Sequence, residues 1–173
     1  MFDIGSYVIY RSEGVCVVSD IREENFGIIG KSEKYYILVP INAQSSTVFV
    51  PVNNEVLTSY MRPLLSAAQI NAMAERLRAA RLEWIDETRT RNNRFKEILA
   101  EGDPEALVLL VNSVSERIDA ALACGKKPST TDLNALRRAE KMLYDQFVST
   151  TDLTSSEEIV PLLRGEIKAG ERK

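Results

Sequence analysis

The chain has 173 residues, 45% of them hydrophobic and 27% charged, which is material for one core or two modest ones. It has no histidine and two cysteines, Cys16 and Cys124, so Ser–His and Cys–His nucleophile pairs are excluded and a closed four-ligand zinc site cannot be made from thiols alone. No apolar run approaches the roughly 20 residues of a membrane helix, and residues 1–10 lack a basic region followed by an apolar stretch, so a cytoplasmic protein with reduced, buried thiols is expected.

The first third reads as short strands. Tyr7-Val8-Ile9-Tyr10 and the run Val15 through Ile21 are rich in β-branched and aromatic residues. The hairpin-length turn Arg11-Ser12-Glu13-Gly14 separates them. A second polar, glycine-bearing turn is expected over residues 25–33. Lys34-Tyr35-Tyr36-Ile37-Leu38-Val39-Pro40 and Thr47-Val48-Phe49-Val50-Pro51-Val52 follow, joined by a turn-like linker over residues 41–46. Even spacing with little helical signal predicts a small barrel, and Pro51 predicts that the last strand ends there or lies at an edge.

Composition changes at Arg62-Pro63, and helices follow. Ser66 with Gln69 three residues on forms a capping box, ahead of the stripe Ile70, Met73, Ala74, Leu77. A second helix is expected from about Asp86 to Ala100, with Phe95, Ile98 and Leu99 inward, stopped at Glu101-Gly102. Asp103-Pro104 opens the third as N-cap and N1 proline, with Leu107, Leu110, Val111, Val114 and Ile118 inward. Gly125 ends it, and residues 126–129, with Lys126 and Lys127, read as a polar loop. Thr130 or Thr131 opens a fourth helix with the stripe Leu133, Leu136, Ala139, Met142, Leu143, Phe147. Ser155 or Ser156 caps a fifth with Ile159, Leu162 and Leu163, and the charged tail from Lys168 is expected to fray. The fold class is α+β with two domains: a Tudor- or SH3-like β-barrel over residues 1–63, then an all-α bundle of about five helices over residues 64–173.

The ordered set of residues resembles the CarD/CdnL family of transcription regulators, and within it the members of Firmicutes type; the family shares its N-terminal domain with the transcription-repair coupling factor. Phe2, Ile4, Gly5 and Tyr7-Val8-Ile9-Tyr10 are similar to the family's opening, and Gly14-Val15 to the glycine after that strand. Tyr35-Tyr36-Ile37-Leu38 resembles its Tyr-Tyr-x-Leu strand, and Val48-Phe49-Val50-Pro51-Val52 its Val-x-Val-Pro signature, with Arg62 beyond. Trp84, Arg91, Phe95-Lys96-Glu97, Leu99 and Gly102-Asp103 resemble the family's tryptophan, basic run and Gly-Asp boundary. Four places depart from the pattern, the first being Trp84, which sits farther ahead of Gly102-Asp103 than in the members of actinobacterial type. Arg11-Ser12-Glu13 replaces a turn with Pro and His. Phe49 precedes Val50-Pro51 where many members have Arg, which implies a more apolar contact. The third helix, Asn112-Ser113-Val114-Ser115-Glu116-Arg117, is less basic than usual.

The resemblance implies a regulator that binds the RNA polymerase β subunit by lending a strand edge, through Tyr35, Tyr36, Ile37, Leu38, Val48, Phe49, Val50 and Pro51. It implies that the helical domain meets promoter DNA at the upstream edge of the bubble without reading sequence. There Trp84 would wedge into the minor groove, with Thr88 as the alternative position, and Arg89, Arg91, Arg94, Lys96, Arg137 and Arg138 would hold phosphates. Residues 76–96 hold seven basic and three acidic residues within a chain of net charge −3. The residues alone leave other readings open. Trp84 fits equally a packing role between helices. The arginines fit a solvated face, with Glu87–Arg91 at helical pair spacing. Phe49 is outward if Val48 and Val50 point in. No enzyme is expected, since Asp86, Glu87, Asp103 and Glu105 read as helix-start acids, and no metal or cofactor. The contrasting reading is an interaction module docking on polymerase without DNA contact, and a strand-swapped homodimer through the barrel edge stays open.

Overall fold

The structure is a computed structural model and describes residues 1–26 and 32–172. Among the described residues the first unit, Met1–Leu64, is built on five antiparallel strands: β1 (Tyr7–Tyr10), β2 (Gly14–Glu24), β3 (Glu33–Pro40), β4 (Val48–Pro51) and β5 (Met61–Pro63). They lie in the order β4-β3-β2-β1-β5. Of the turn expected over residues 25–33, residues 27–31 lie outside the described residues, while Glu33 already pairs with Glu24 in the sheet.

Period-two patterning sends alternate side chains to one core. Val8, Tyr10, Cys16, Val18, Tyr36, Leu38, Val50 and Met61 cluster there, with every strand contributing. One small core shared by all five strands is the arrangement of a Tudor-like β domain. A register shift between Val18 and Asp20 bends β2 where Ser19 is inserted, and the Ser19 hydroxyl donates to Ile37 O at 3.0 Å. Two elements lie beyond the sequence expectation. Met61-Arg62-Pro63 is too short to show alternation, yet it pairs with β1. Helix α1 (Glu55–Ser59) is five residues capped by Asn54, whose side chain accepts from Leu57 N.

The second unit, Leu65–Lys173, holds five α-helices: α2 (Ala67–Leu77), α3 (Thr88–Glu101), α4 (Pro104–Ala123), α5 (Thr130–Phe147) and α6 (Ile159–Arg164). Their boundaries follow local chemistry. Both capping-box bonds between Ser66 and Gln69 are made, at 2.9 and 3.3 Å. Gly102 adopts the left-handed conformation, φ 65°, that stops α3, and Asp103 caps α4 ahead of Pro104. Ser129, the last residue of the expected loop, caps α5. Ile70, Ile98, Leu107, Leu143, Phe147 and Ile159 bring all five helices to a dry centre.

The tail does not fray. Ala169 is buried, and Asn71 grips it from both sides: its Nδ2 donates to Ala169 O at 2.8 Å and its Oδ1 accepts from Ala169 N at 2.9 Å. Asp152 N donates to Gly170 O, Gly170 N donates to the Asp152 carboxylate, and Thr151 bridges Glu171. Charge composition alone predicted mobility. Two side chains that mimic a strand partner reverse it.

Burial first, and Glu13 second, push the Cys16 thiol up to about 12. An unfolded thiol titrates near ~8.5, so the stability held by the neutral buried thiol is complete below that pH and is lost as pH rises toward the folded value. Cys124 is exposed rather than buried as expected, so at about pH 8 a thiol reagent will titrate only Cys124 in the native chain, and both thiols after unfolding. Rapid modification of Cys16 in the native chain would contradict the burial.

Candidate functional site

Two places in the chain leave chemistry unspent. The first is the outer margin of β4. In an antiparallel ladder, residues alternate between exchanging backbone bonds with the neighbour and pointing those groups away. Val52 N donates to Lys34 O at 2.8 Å, and the register pairs Tyr36 with Val50, Ile37 with Phe49 and Leu38 with Val48. Val48 and Val50 therefore turn their backbone groups toward β3, and Phe49 turns its N–H and C=O out of the sheet. Pro51 falls on the same outward phase, where its missing N–H costs the ladder nothing. Among the described residues no strand pairs with this side of β4.

Aromatic side chains border that edge. Phe49 and Tyr35 lie on the face opposite the barrel core, and Phe26 packs edge-on against both, with ring centroids 4.9 Å and 5.2 Å away. Phe26 is 58% exposed. Ile37 lies on the same face, paired across to Phe49 and buried. The edge thus offers backbone partners and apolar surface side by side, the combination an added strand uses.

This narrows the expected docking residues. Tyr36, Leu38 and Val50 have core side chains, and Val48 packs against the same core. β3 is hydrogen-bonded to β2 on one side and β4 on the other, so Tyr35 to Leu38 offer no free backbone. What remains from the expected set is Phe49, Pro51 and the ring of Tyr35. Phe26 was missed, because a lone aromatic in a polar turn carries no periodicity.

The second place is the connection between α2 and α3, residues 78–87, which carries Trp84. It is tied down from α4. Asn112 Nδ2 donates to Leu77 O at the end of α2 at 2.9 Å and to Ala80 O at 3.4 Å, and Leu82 N donates to the Ser113 hydroxyl at 2.8 Å. Trp84 is half-buried, 6.4 Å from the Phe95 ring. Two guanidinium groups stand over it, Arg91 at 4.8 Å and Arg117 at 4.6 Å from the ring centroid. Beside it lies a cavity of about 340 Å³ lined by Arg81, Ser113, Glu116 and Arg117. Packing and surface roles are therefore combined in one indole.

Arg91 must be corrected. It is 7% exposed, and its Nε and Nη2 face the Asp132 carboxylate at 3.3 and 3.4 Å. Its Nη1 donates to Ile85 O and Asp86 O. A guanidinium so enclosed is not presented to a phosphate. Nor does it pair with Glu87, which instead caps α3 by accepting from Arg89 N and Thr90 N. The other expected cations are exposed. Arg89 and Lys96, seven residues apart, share one stripe of α3. Arg94 is turned toward Glu97, and Arg137 and Arg138 lie on the outer side of α5. Arg117, exposed over the tryptophan, was passed over because its helix looked too weakly basic.

Against known proteins, residues 2–65 match the family model described as the CarD-like/TRCF RID domain, so the match spans the whole strand-built unit. No curated protein matches the chain.

Hydrogen bonds from Thr90 and Arg89 hold the Glu87 carboxylate below its ordinary range. A depressed value means that the cap stabilises α3 above the ordinary carboxylate pKa and is lost as pH falls through the folded one. Amide exchange followed by NMR will therefore show Arg89 and Thr90 losing protection on acidification, and Glu87→Ala will abolish that protection at neutral pH.

Proposed function

Because residues 2–65 form a CarD-like RID domain, a module that interacts with RNA polymerase in transcription, we propose that this chain binds the polymerase β subunit through β4 and stabilises the open promoter complex through its helical unit. The observation that carries the first half is the outward-facing backbone of Phe49 next to the Phe26–Tyr35–Phe49 cluster. A partner strand laid along β4 satisfies groups that water otherwise must solvate, and its own side chains cover the aromatic rings. RID domains are interaction modules, so the chemistry asked of this unit is recognition rather than catalysis.

The second half rests on Trp84. A duplex at the edge of a bubble has splayed bases and a distorted minor groove, and an indole edge fills such a gap without reading sequence. Arg117, over the ring, is the cation we assign to a neighbouring phosphate, and Arg89 and Lys96 supply a further cationic stripe. Arg94, Arg137 and Arg138 remain exposed candidates for the same task. Stabilising the open state by about 1.4 kcal/mol multiplies its lifetime about tenfold. In this reading the protein works in the cytoplasm alongside polymerase and needs no cofactor.

The rival reading, an interaction module without DNA contact, gains from the burial of Arg91 and from Arg81 being paired with Glu116. A second copy pairing through the same edge would compete with polymerase.

Two measurements test the proposal. In polymerase binding assays Phe49→Ala will weaken binding by loss of a ring, about 1–2 kcal/mol, and Phe49→Pro will weaken it further by deleting the outward N–H while sparing the β3 ladder. Equal affinity of Phe49→Pro and the parent chain would remove edge pairing. With a bubble promoter, Trp84→Ala will shorten the open-complex lifetime at unchanged polymerase affinity, and an unchanged lifetime would favour the rival.

A further inference from the structure

Arg91 makes more contacts than a structural ion pair requires. Three faces of one guanidinium are used at once. The fork meets the Asp132 carboxylate, Nη1 meets the carbonyls of Ile85 and Asp86 at 2.8 and 3.0 Å, and the plane lies 4.8 Å from the Trp84 ring centroid. Asp132 is itself set by the start of α5, where its N–H donates to the capping Ser129 hydroxyl. A physical chain therefore runs from the α5 cap, through Asp132 and Arg91, to the two peptide carbonyls that follow Trp84 and to the indole.

Buried ion pairs contribute little net stability against apolar replacements of like volume, and their best-attested use is to fix one conformation among several. Here the conformation fixed is that of a short connection bearing the sole tryptophan of the chain. Without the fork, the carbonyls of Ile85 and Asp86 lose their donor and the ring loses one of its two cationic neighbours. A lysine cannot substitute, since a point ammonium neither forks nor lies flat on an indole.

We propose that Asp132 and Arg91 are positioning residues for Trp84, holding the indole in the single orientation in which its exposed half meets distorted duplex DNA. The inference rests on the wedge reading given above, and it assigns Arg91 a role other than phosphate contact. Pre-orientation matters because an aromatic free to rotate loses, on insertion, the entropy that a fixed one has already lost in folding.

The test uses the full chain in two variants, Arg91→Lys and the paired Arg91→Met with Asp132→Leu, which replaces the ion pair by apolar volume. Thermal unfolding establishes that each is folded, and Arg91→Lys keeps the comparison alive if the paired variant is not. The fluorescence of the single tryptophan, measured without polymerase, is the readout that mere stability does not move. We expect both variants to show a red-shifted emission and an acrylamide quenching constant raised roughly twofold. With polymerase and a bubble promoter, their open-complex lifetimes will fall toward that of Trp84→Ala at unchanged polymerase affinity. Unaltered quenching in a folded variant overturns the positioning role. So does a full lifetime in a variant whose tryptophan has loosened, when Trp84→Ala itself shortens it. If Trp84→Ala has no effect while quenching rises, the wedge reading fails and the positioning role falls with it, distinguishable from the first case by the raised quenching.

Discussion

The alternation of hydrogen bonding along β4 is the constraint from which the rest follows. Leu38 opposite Val48 and Tyr36 opposite Val50 commit those backbones to the sheet, and Val52 N bonded to Lys34 O fixes the phase. Phe49 is then left facing outward. A slip of one residue would reverse everything. Val48 and Val50 would leave the core, Phe49 would enter it, and Pro51 would interrupt a ladder it now escapes. The core fixes the phase because Val50 is fully buried among Val8, Val18 and Leu38. Stability and the edge proposed for recognition in the first unit therefore share one register.

The second unit resolves a different conflict. A tryptophan can collapse wholly onto a core or keep part of its ring in solvent. The structure settles it halfway, packing one part of the indole near Phe95 and tying the flanking backbone with Asn112, Ser113 and Arg91. Basic residues divide accordingly. Arg91 is used inward, against Asp132, while Arg117 lies over the same ring in solvent. Counting positive charge over residues 76–96 treats these roles as one, and burial separates them.

Much of this architecture is legible from the chain alone. Strand alternation, the Ser66–Gln69 box, the Gly102 stop and the Asp103-Pro104 start are local signals with local causes, and each appears where its chemistry puts it. The family resemblance drawn from residues such as Gly5, Gly14, Tyr35 and Pro51 agrees with the matched model over residues 2–65. What could not be read is non-local. Nothing near Arg91 announces an acid 41 residues later at Asp132, so its spacing to Glu87 suggested a simpler pair. Alternation puts Tyr36 and Leu38 on one face and Tyr35 and Ile37 on the other, but which face is the core shows only once all five strands converge on it. The docking of the tail depends on Asn71, 98 residues before Ala169. Met61-Arg62-Pro63 becomes a strand only because β1 is there to receive it.

The most direct measurement of the central claim is hydrogen exchange at the Phe49 amide in the full chain, with and without polymerase. Pairing through β4 predicts that this amide exchanges readily in the free chain and becomes protected on binding, while the amides of Val48 and Val50, already bonded to β3, change little. If the Phe49 amide exchanges as fast in the complex as in the free chain, then the polymerase does not bind along this edge and the account is wrong.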